Sequence, residues 1–188
     1  MQDYIYSTIP ILAMVIHLII NFDTLPGRWG GGAEHGLHYR GFLAGIFAYC
    51  IVDAGWGLLA GLKWTKPLVD TGATWGVLTN PLYVDTMLYY IAIAVSVLMW
   101  RRYVIAYLEL GKWTARSLAW FGYALLALYV GLLTANVFNG CLFHFDAQGA
   151  YHAGFIRRLI FYPLVVLNLL MAGFVLVKDR GSRGAVRI

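Results

Sequence analysis

Charge is scarce in this chain. Only 12% of its 188 residues are Asp, Glu, Lys or Arg, against about 25% in an ordinary soluble domain. That scarcity excludes a water-soluble fold, because 61% of the residues are hydrophobic and a chain of this length cannot hide so much apolar surface. Cysteine is nearly missing too. The two present, Cys50 and Cys141, are expected in opposite halves of the molecule, too far apart to bridge.

Catalytic signatures are also lacking. The chain has no Gly-rich phosphate loop, no His-Glu-x-x-His, no Cys-x-x-Cys and no nucleophile elbow, the patterns that place phosphate binding, zinc hydrolysis, dithiol redox chemistry or acyl transfer. No lysine lies in the middle of an apolar run, which removes a retinal Schiff base. Asp53 and Asp85 are the acids available for an intramembrane hydrolase, and a depth difference of roughly 7 Å argues against a dyad. The expectation is a non-enzyme without a cofactor. The net charge of +5 is no sign of nucleic acid, since the basic residues sit in short clusters between apolar runs.

What is present is a series of five apolar segments, at 4–22, 42–62, 82–100, 118–138 and 155–177. Each comes close to the ~20 residues that cross a ~30 Å hydrocarbon core. The expected fold is an all-α integral membrane protein of about five transmembrane helices, one transmembrane helical domain over 1–177 followed by a basic cytoplasmic tail over 178–188. An aromatic content of 16%, with 7 Trp and 13 Tyr, suits rings parked at two water interfaces. The first segment has no basic residue before Tyr4 and no small-residue cleavage site after Ile20, so it reads as a mature helix rather than a signal peptide.

Basic residues fall unevenly between the segments. Arg28, Arg40, Arg101, Arg102, Lys112, Arg116, Lys178, Arg180, Arg183 and Arg187 lie on one side, and Lys63, Lys66, Arg157 and Arg158 on the other. The excess marks the cytoplasmic side and puts the N-terminus outside and the C-terminus inside, with the tail held to anionic membrane lipid. Pro26 and Gly30-Gly31-Gly32 predict an open first loop. Trp64 and Trp75 predict an interfacial second loop, and Asp146 and Gly149 a turn in the last. The third helix should run on through Arg101-Arg102 to Leu108, since no breaker precedes Gly111.

Polar groups at membrane depth carry a cost, so each calls for an explanation. Asp53 lies nine residues from the outer end of its segment, about 13 Å deep at 1.5 Å per residue. It is either a ligand contact or proton-sensitive switch, or a carboxyl group bonded to a neighbouring Tyr or Asn to pin helix packing. Asp85 stands near an outer helix start, where the helix dipole favours a carboxylate. Tyr89 and Tyr90 follow one turn further in, and Thr134, Asn136, His144 and His152 approach from the other end of the sequence. Together they could line an outward pocket of the kind that binds small molecules. The candidate ligand residues are Asp53, Trp56, Asp85, Tyr89, Asn136, Asn139 and His144. His17 has no partner histidine at its depth, which disfavours haem, and it and Asn168 are expected to form helix-to-helix hydrogen bonds.

Several strings, in order and spacing, resemble a known family. They are His17-Leu18-Ile19-Ile20-Asn21-Phe22-Asp23, Tyr39-Arg40-Gly41-Phe42-Leu43, Asp53-Ala54-Gly55-Trp56-Gly57, Tyr83-Val84-Asp85-Thr86, Trp100-Arg101-Arg102-Tyr103-Val104-Ile105-Ala106-Tyr107-Leu108, and the run from Asn139-Gly140-Cys141 through His152-Ala153-Gly154. The chain resembles the multi-helix membrane input region ahead of bacterial GGDEF diguanylate cyclase domains, and more distantly the membrane sensory region of some histidine kinases. The resemblance implies a bacterial inner-membrane sensor, dimeric, that binds an unknown small molecule and relays helix movement to a cytoplasmic GGDEF or other output domain. No such domain follows residue 177, so the output is expected in a longer receptor or in a partner. A small transporter, or a membrane enzyme acting on lipid or quinone through Asp53 or His144, are the alternatives.

Overall fold

The computed structural model describes residues 2–22, 33–61, 78, 80–108, 110–146 and 150–185. Five helices and a short hairpin follow in order: α1 (Gln2–Ile20), α2 (Ala33–Gly61), α3 (Pro81–Tyr107), α4 (Lys112–Asn139), β1 (Phe143–Phe145), β2 (Tyr151–Ala153) and α5 (Phe155–Ala185). The open first loop with its glycine run, the interfacial loop with Trp64 and Trp75, and the turn residue Gly149 lie outside the described residues.

Four of the helices, over Gly36–Ala60, Pro81–Tyr107, Lys112–Asn139 and Phe155–Leu176, are long and apolar enough to cross a membrane. The outward faces are apolar as well. Ile9, Ile20, Phe155, Leu169 and Leu176 are 63–73% exposed, and surfaces of that kind require lipid rather than water around them. The chain is a multi-pass membrane protein. In α1 the apolar stretch, Ser7–Ile20, is shorter than in the other four.

α3 is the central element. It packs most extensively on α2, then on α4, and touches α5, while α1 packs on the far side of α2. Its buried residues run from Leu82 to Val104, the length of the helix. The sequence fixes where it starts: the Asn80 side chain accepts hydrogen bonds from the Leu82 and Tyr83 backbone N–H groups at 2.9 and 3.4 Å, and Pro81 follows at the first helical position. The α2–α3 seam is tight because Gly45 lets the backbones meet. A Cβ there would lie 2.9 Å from Ser96 Oγ and 3.0 Å from Ser96 Cα, the small-residue contact of membrane helices. Ser7 Oγ donates to the Ala54 carbonyl at 3.0 Å and so ties α1 to α2.

Beyond α4 the expectation of helices joined by loops needs correction. Gly140 closes the helix in the left-handed region, φ 61°, and the chain turns back as an antiparallel hairpin pairing Phe143 with Ala153, His144 with His152 and Phe145 with Tyr151. The alternation of Phe143, His144 and Phe145 puts two rings inward and the imidazole outward, the period-2 pattern of a strand. Asp146 forms the expected turn contact, its Oδ1 accepting the Ala150 N–H at 2.7 Å.

Four further expectations change. α3 runs on through Arg101 as expected, but Arg101, expected as a basic residue of the cytoplasmic side, is 1% exposed, with its guanidinium 5.3 Å from the Phe121 ring of α4. Asn168 donates to the Leu164 carbonyl of its own helix at 2.8 Å rather than to a neighbour. The bond expected from His17 is made one turn later, by Tyr39 of α2 donating to Asn21 Oδ1; among the described residues the His17 ring makes none. The helix expected over 155–177 runs on through Ala185, so most of the basic tail has helical backbone.

Candidate functional site

A cavity of about 200 Å³ lies among α2, α3, β2 and α5, lined by Asp53, Trp56, Thr86, Tyr89, Tyr90, Tyr151 and Arg157. Local rules put these side chains together. Asp53 and Trp56 are three residues apart on α2 and share a face, as do Thr86, Tyr89 and Tyr90 on α3. Thr86 spends its hydroxyl on its own helix, donating to the Leu82 carbonyl at 2.7 Å, and presents a methyl group to its surroundings.

The hairpin closes the remaining wall, and Asn136 is what holds the hairpin. Near the end of α4 and 2% exposed, its amide donates to the Tyr83 hydroxyl and the Phe143 carbonyl, each at 3.0 Å. Its Oδ1 accepts the N–H groups of Leu142 and Phe143 at 2.6 and 3.1 Å. Thus anchored, Phe143 is fully buried and stacks on Tyr90 and Tyr151 with ring centroids 5.6 and 6.0 Å apart.

Tyr151 then links two elements. Its hydroxyl lies 3.0 Å from that of Tyr90 and accepts a hydrogen bond from Arg157 Nη1 at 3.3 Å, while the guanidinium sits 5.9 Å from its ring. Asp53 faces the same cavity from α2, yet no ion pair joins it to Arg157; among the described residues the one ion pair is His152 with Asp146, 2.9 Å, on the hairpin. Asp53 and Arg157 therefore face one cavity without pairing with each other, and a charged side chain held at membrane depth costs roughly 2.5–3.5 kcal/mol at mid-bilayer and less toward the interface.

The chain matches no family model, no curated protein and no solved structure.

Of the seven residues singled out from the sequence, Asp53, Trp56 and Tyr89 line the cavity. Asp85 is next to it on the same seam, its Oδ1 3.0 Å from where a Cβ on Gly55 would stand and its Oδ2 buried with no hydrogen-bond partner among the described residues. Asn136 is the hairpin's anchor and has no group left for a ligand. Asn139 is exposed and accepts the Cys141 N–H at 3.1 Å. His144 points outward and stacks on His152, 5.2 Å between centroids. The sequence reading missed Thr86, Tyr151 and Arg157 as lining residues and named Tyr90 without assigning it. Arg157 was counted as a topology charge; its signal was Tyr151 six residues before it, in a segment that also carries Phe143 and Phe145.

No group of three or more His, Cys, Asp or Glu side chains among the described residues is arranged to hold a metal ion.

Proposed function

We propose that this chain is the membrane input module of a bacterial signalling receptor, binding a small molecule in the Asp53–Arg157 cavity and relaying helix movement to a cytoplasmic output. The observation that carries the reading is the cavity itself: a mostly apolar, aromatic-walled chamber into which Asp53 and Arg157 both face without pairing with each other. A few convergent polar groups in an otherwise apolar hollow are what a small-ligand site needs.

The architecture supports relay. α3 and α5 both line the cavity near their N-terminal ends, at Thr86–Tyr90 and Arg157, and both continue for many turns, to Tyr107 and Ala185. A ligand with different affinities for two arrangements of these helices biases their equilibrium and so moves their far ends. The proposal includes five membrane crossings, an outside N-terminus, a cytoplasmic C-terminus at the bacterial inner membrane, and a dimer whose output is a GGDEF-type cyclase or another domain beyond α5.

Native mass spectrometry of the protein released from lipid nanodiscs tests the binding step. A retained small molecule that is absent from the Asp53→Asn protein supports the reading. A retained molecule indifferent to Asp53, or measurable transport of that molecule across liposomes, would replace it with another site or with a transporter.

A further inference from the structure

The charges in the cavity say more than that something binds. Asp53 and Arg157 come from helices that share little direct contact, each packing instead on α3. They line one hollow and make no ion pair with each other. A carboxylate is an acceptor only, and a guanidinium is a donor only, with five N–H groups in a planar fork. Tyr151 takes one of these N–H groups and holds the fork in place; the rest match the two oxygens of a carboxylate. Asp53 matches an ammonium group, and the Trp56, Tyr89 and Tyr90 rings around it favour a cation over their faces.

We infer that the ligand is a small zwitterion of amino-acid size, its ammonium group on Asp53 and its carboxylate on Arg157. This rests on the reading of the cavity as the ligand site. Size agrees with the charge pattern: the cavity, about 200 Å³, slightly exceeds the ~150 Å³ hollow that accepts benzene, so it suits a molecule of amino-acid size. A singly charged ligand would leave one of the two charges unpaired within the membrane, a desolvation cost that the zwitterion avoids. The zwitterion also does what neither charge does alone. By joining Asp53 to Arg157 it links α2 to α5, two helices otherwise held together mainly through α3, and so converts occupancy into a change in the position of α5.

The test is thermal unfolding of the full chain in mild detergent with each of the twenty protein amino acids, beside the matched amine lacking the carboxylate and the matched acid lacking the ammonium group. The expected result is that at least one amino acid raises Tm by several degrees, that its amine and acid raise it far less, and that Asp53→Asn and Arg157→Gln, each shown to be folded by a cooperative unfolding transition, abolish the shift. Stabilisation by an amine or acid alone, or by no amino acid, overturns the inference. A second measurement separates that failure from failure of the site: Tyr89→Cys, with Cys50 and Cys141 replaced by Ala, is treated with a small water-soluble thiol reagent. Rapid labelling without an amino-acid effect means an open cavity for a different ligand. No labelling means that the cavity is closed and that the binding reading fails with the inference.

Discussion

Two buried polar residues of similar exposure have opposite energetic roles. Asn136 uses its whole amide, two donated and two accepted hydrogen bonds, and each partner is a group that would be stranded without it. Asn136→Ala is expected to cost about 3 kcal/mol or more, since every buried group left unsatisfied costs roughly 1–3 kcal/mol; thermal unfolding in detergent checks it, and a loss under 1 kcal/mol would contradict the hub. Arg101 is also almost fully buried, but among the described residues its Nε and Nη2 have no hydrogen-bond partner. It packs beneath Gly122 and Phe121 and beside a void of about 10 Å³, room for no more than one water. A buried charge without a counter-charge is a poor stabiliser, so Arg101→Met is expected to leave stability unchanged or raise it by about 1 kcal/mol. A drop of 2 kcal/mol or more would show that the guanidinium has a partner.

At the scale of elements, the α2–α3 seam and the hairpin decide the shape of the site. Gly45→Ala places a methyl group against backbone as well as against a side chain, which cannot be relieved by a rotamer change. It should separate the helices at a cost of roughly 1–3 kcal/mol, measured by the same unfolding assay. On the hairpin, Tyr151→Phe removes the hydroxyl that bridges Tyr90 and Arg157 while keeping the stacked ring. The expected outcome is a fold of near-native stability whose ligand affinity falls about tenfold, the worth of one such hydrogen bond to a charged group; equal affinity would mean that the guanidinium is held by something else.

These elements were unequally legible in the sequence. The helices announced themselves because a bilayer demands about twenty apolar residues per crossing, and the long run of α3 past Trp100 followed from the absence of any breaker before Gly111. The hairpin did not, because strands of three residues leave too short an alternation to stand out beside loop residues. Site residues followed the same division. Asp53 was visible as an acid at membrane depth, and Trp56 and Tyr89 came with it by helical spacing. Arg157 was hidden because a charge close to a helix end is ordinarily an interfacial anchor, and only the three-dimensional return of β2 against α3 shows which way it is used. Asn136 misled for the converse reason: a polar residue near the outer end looked available, and its bonds to Leu142 and Phe143 depend on a turn that composition does not reveal.

For the whole molecule the parts form one path. Lipid-facing apolar surfaces set the helices across the membrane, α3 organises α2, α4 and α5 around itself, and the cavity lies where α2, α3, β2 and α5 converge. Removing Arg101 and Arg157 from the charge count leaves the basic excess on the same side, so the proposed orientation stands without them. The central claim is that occupancy of the Asp53–Arg157 cavity shifts α5 relative to α3, and pulsed electron paramagnetic resonance measures that shift directly. Spin labels at Arg102 of α3 and Gly181 of α5, with Cys50 and Cys141 replaced by Ala, report the separation of the two helices at the end away from the cavity. The account predicts different distance distributions for the ligand-loaded protein and for the Asp53→Asn, Arg157→Gln double variant that cannot hold the ligand. Identical distributions, with the ligand demonstrably bound in one and absent from the other, would contradict it.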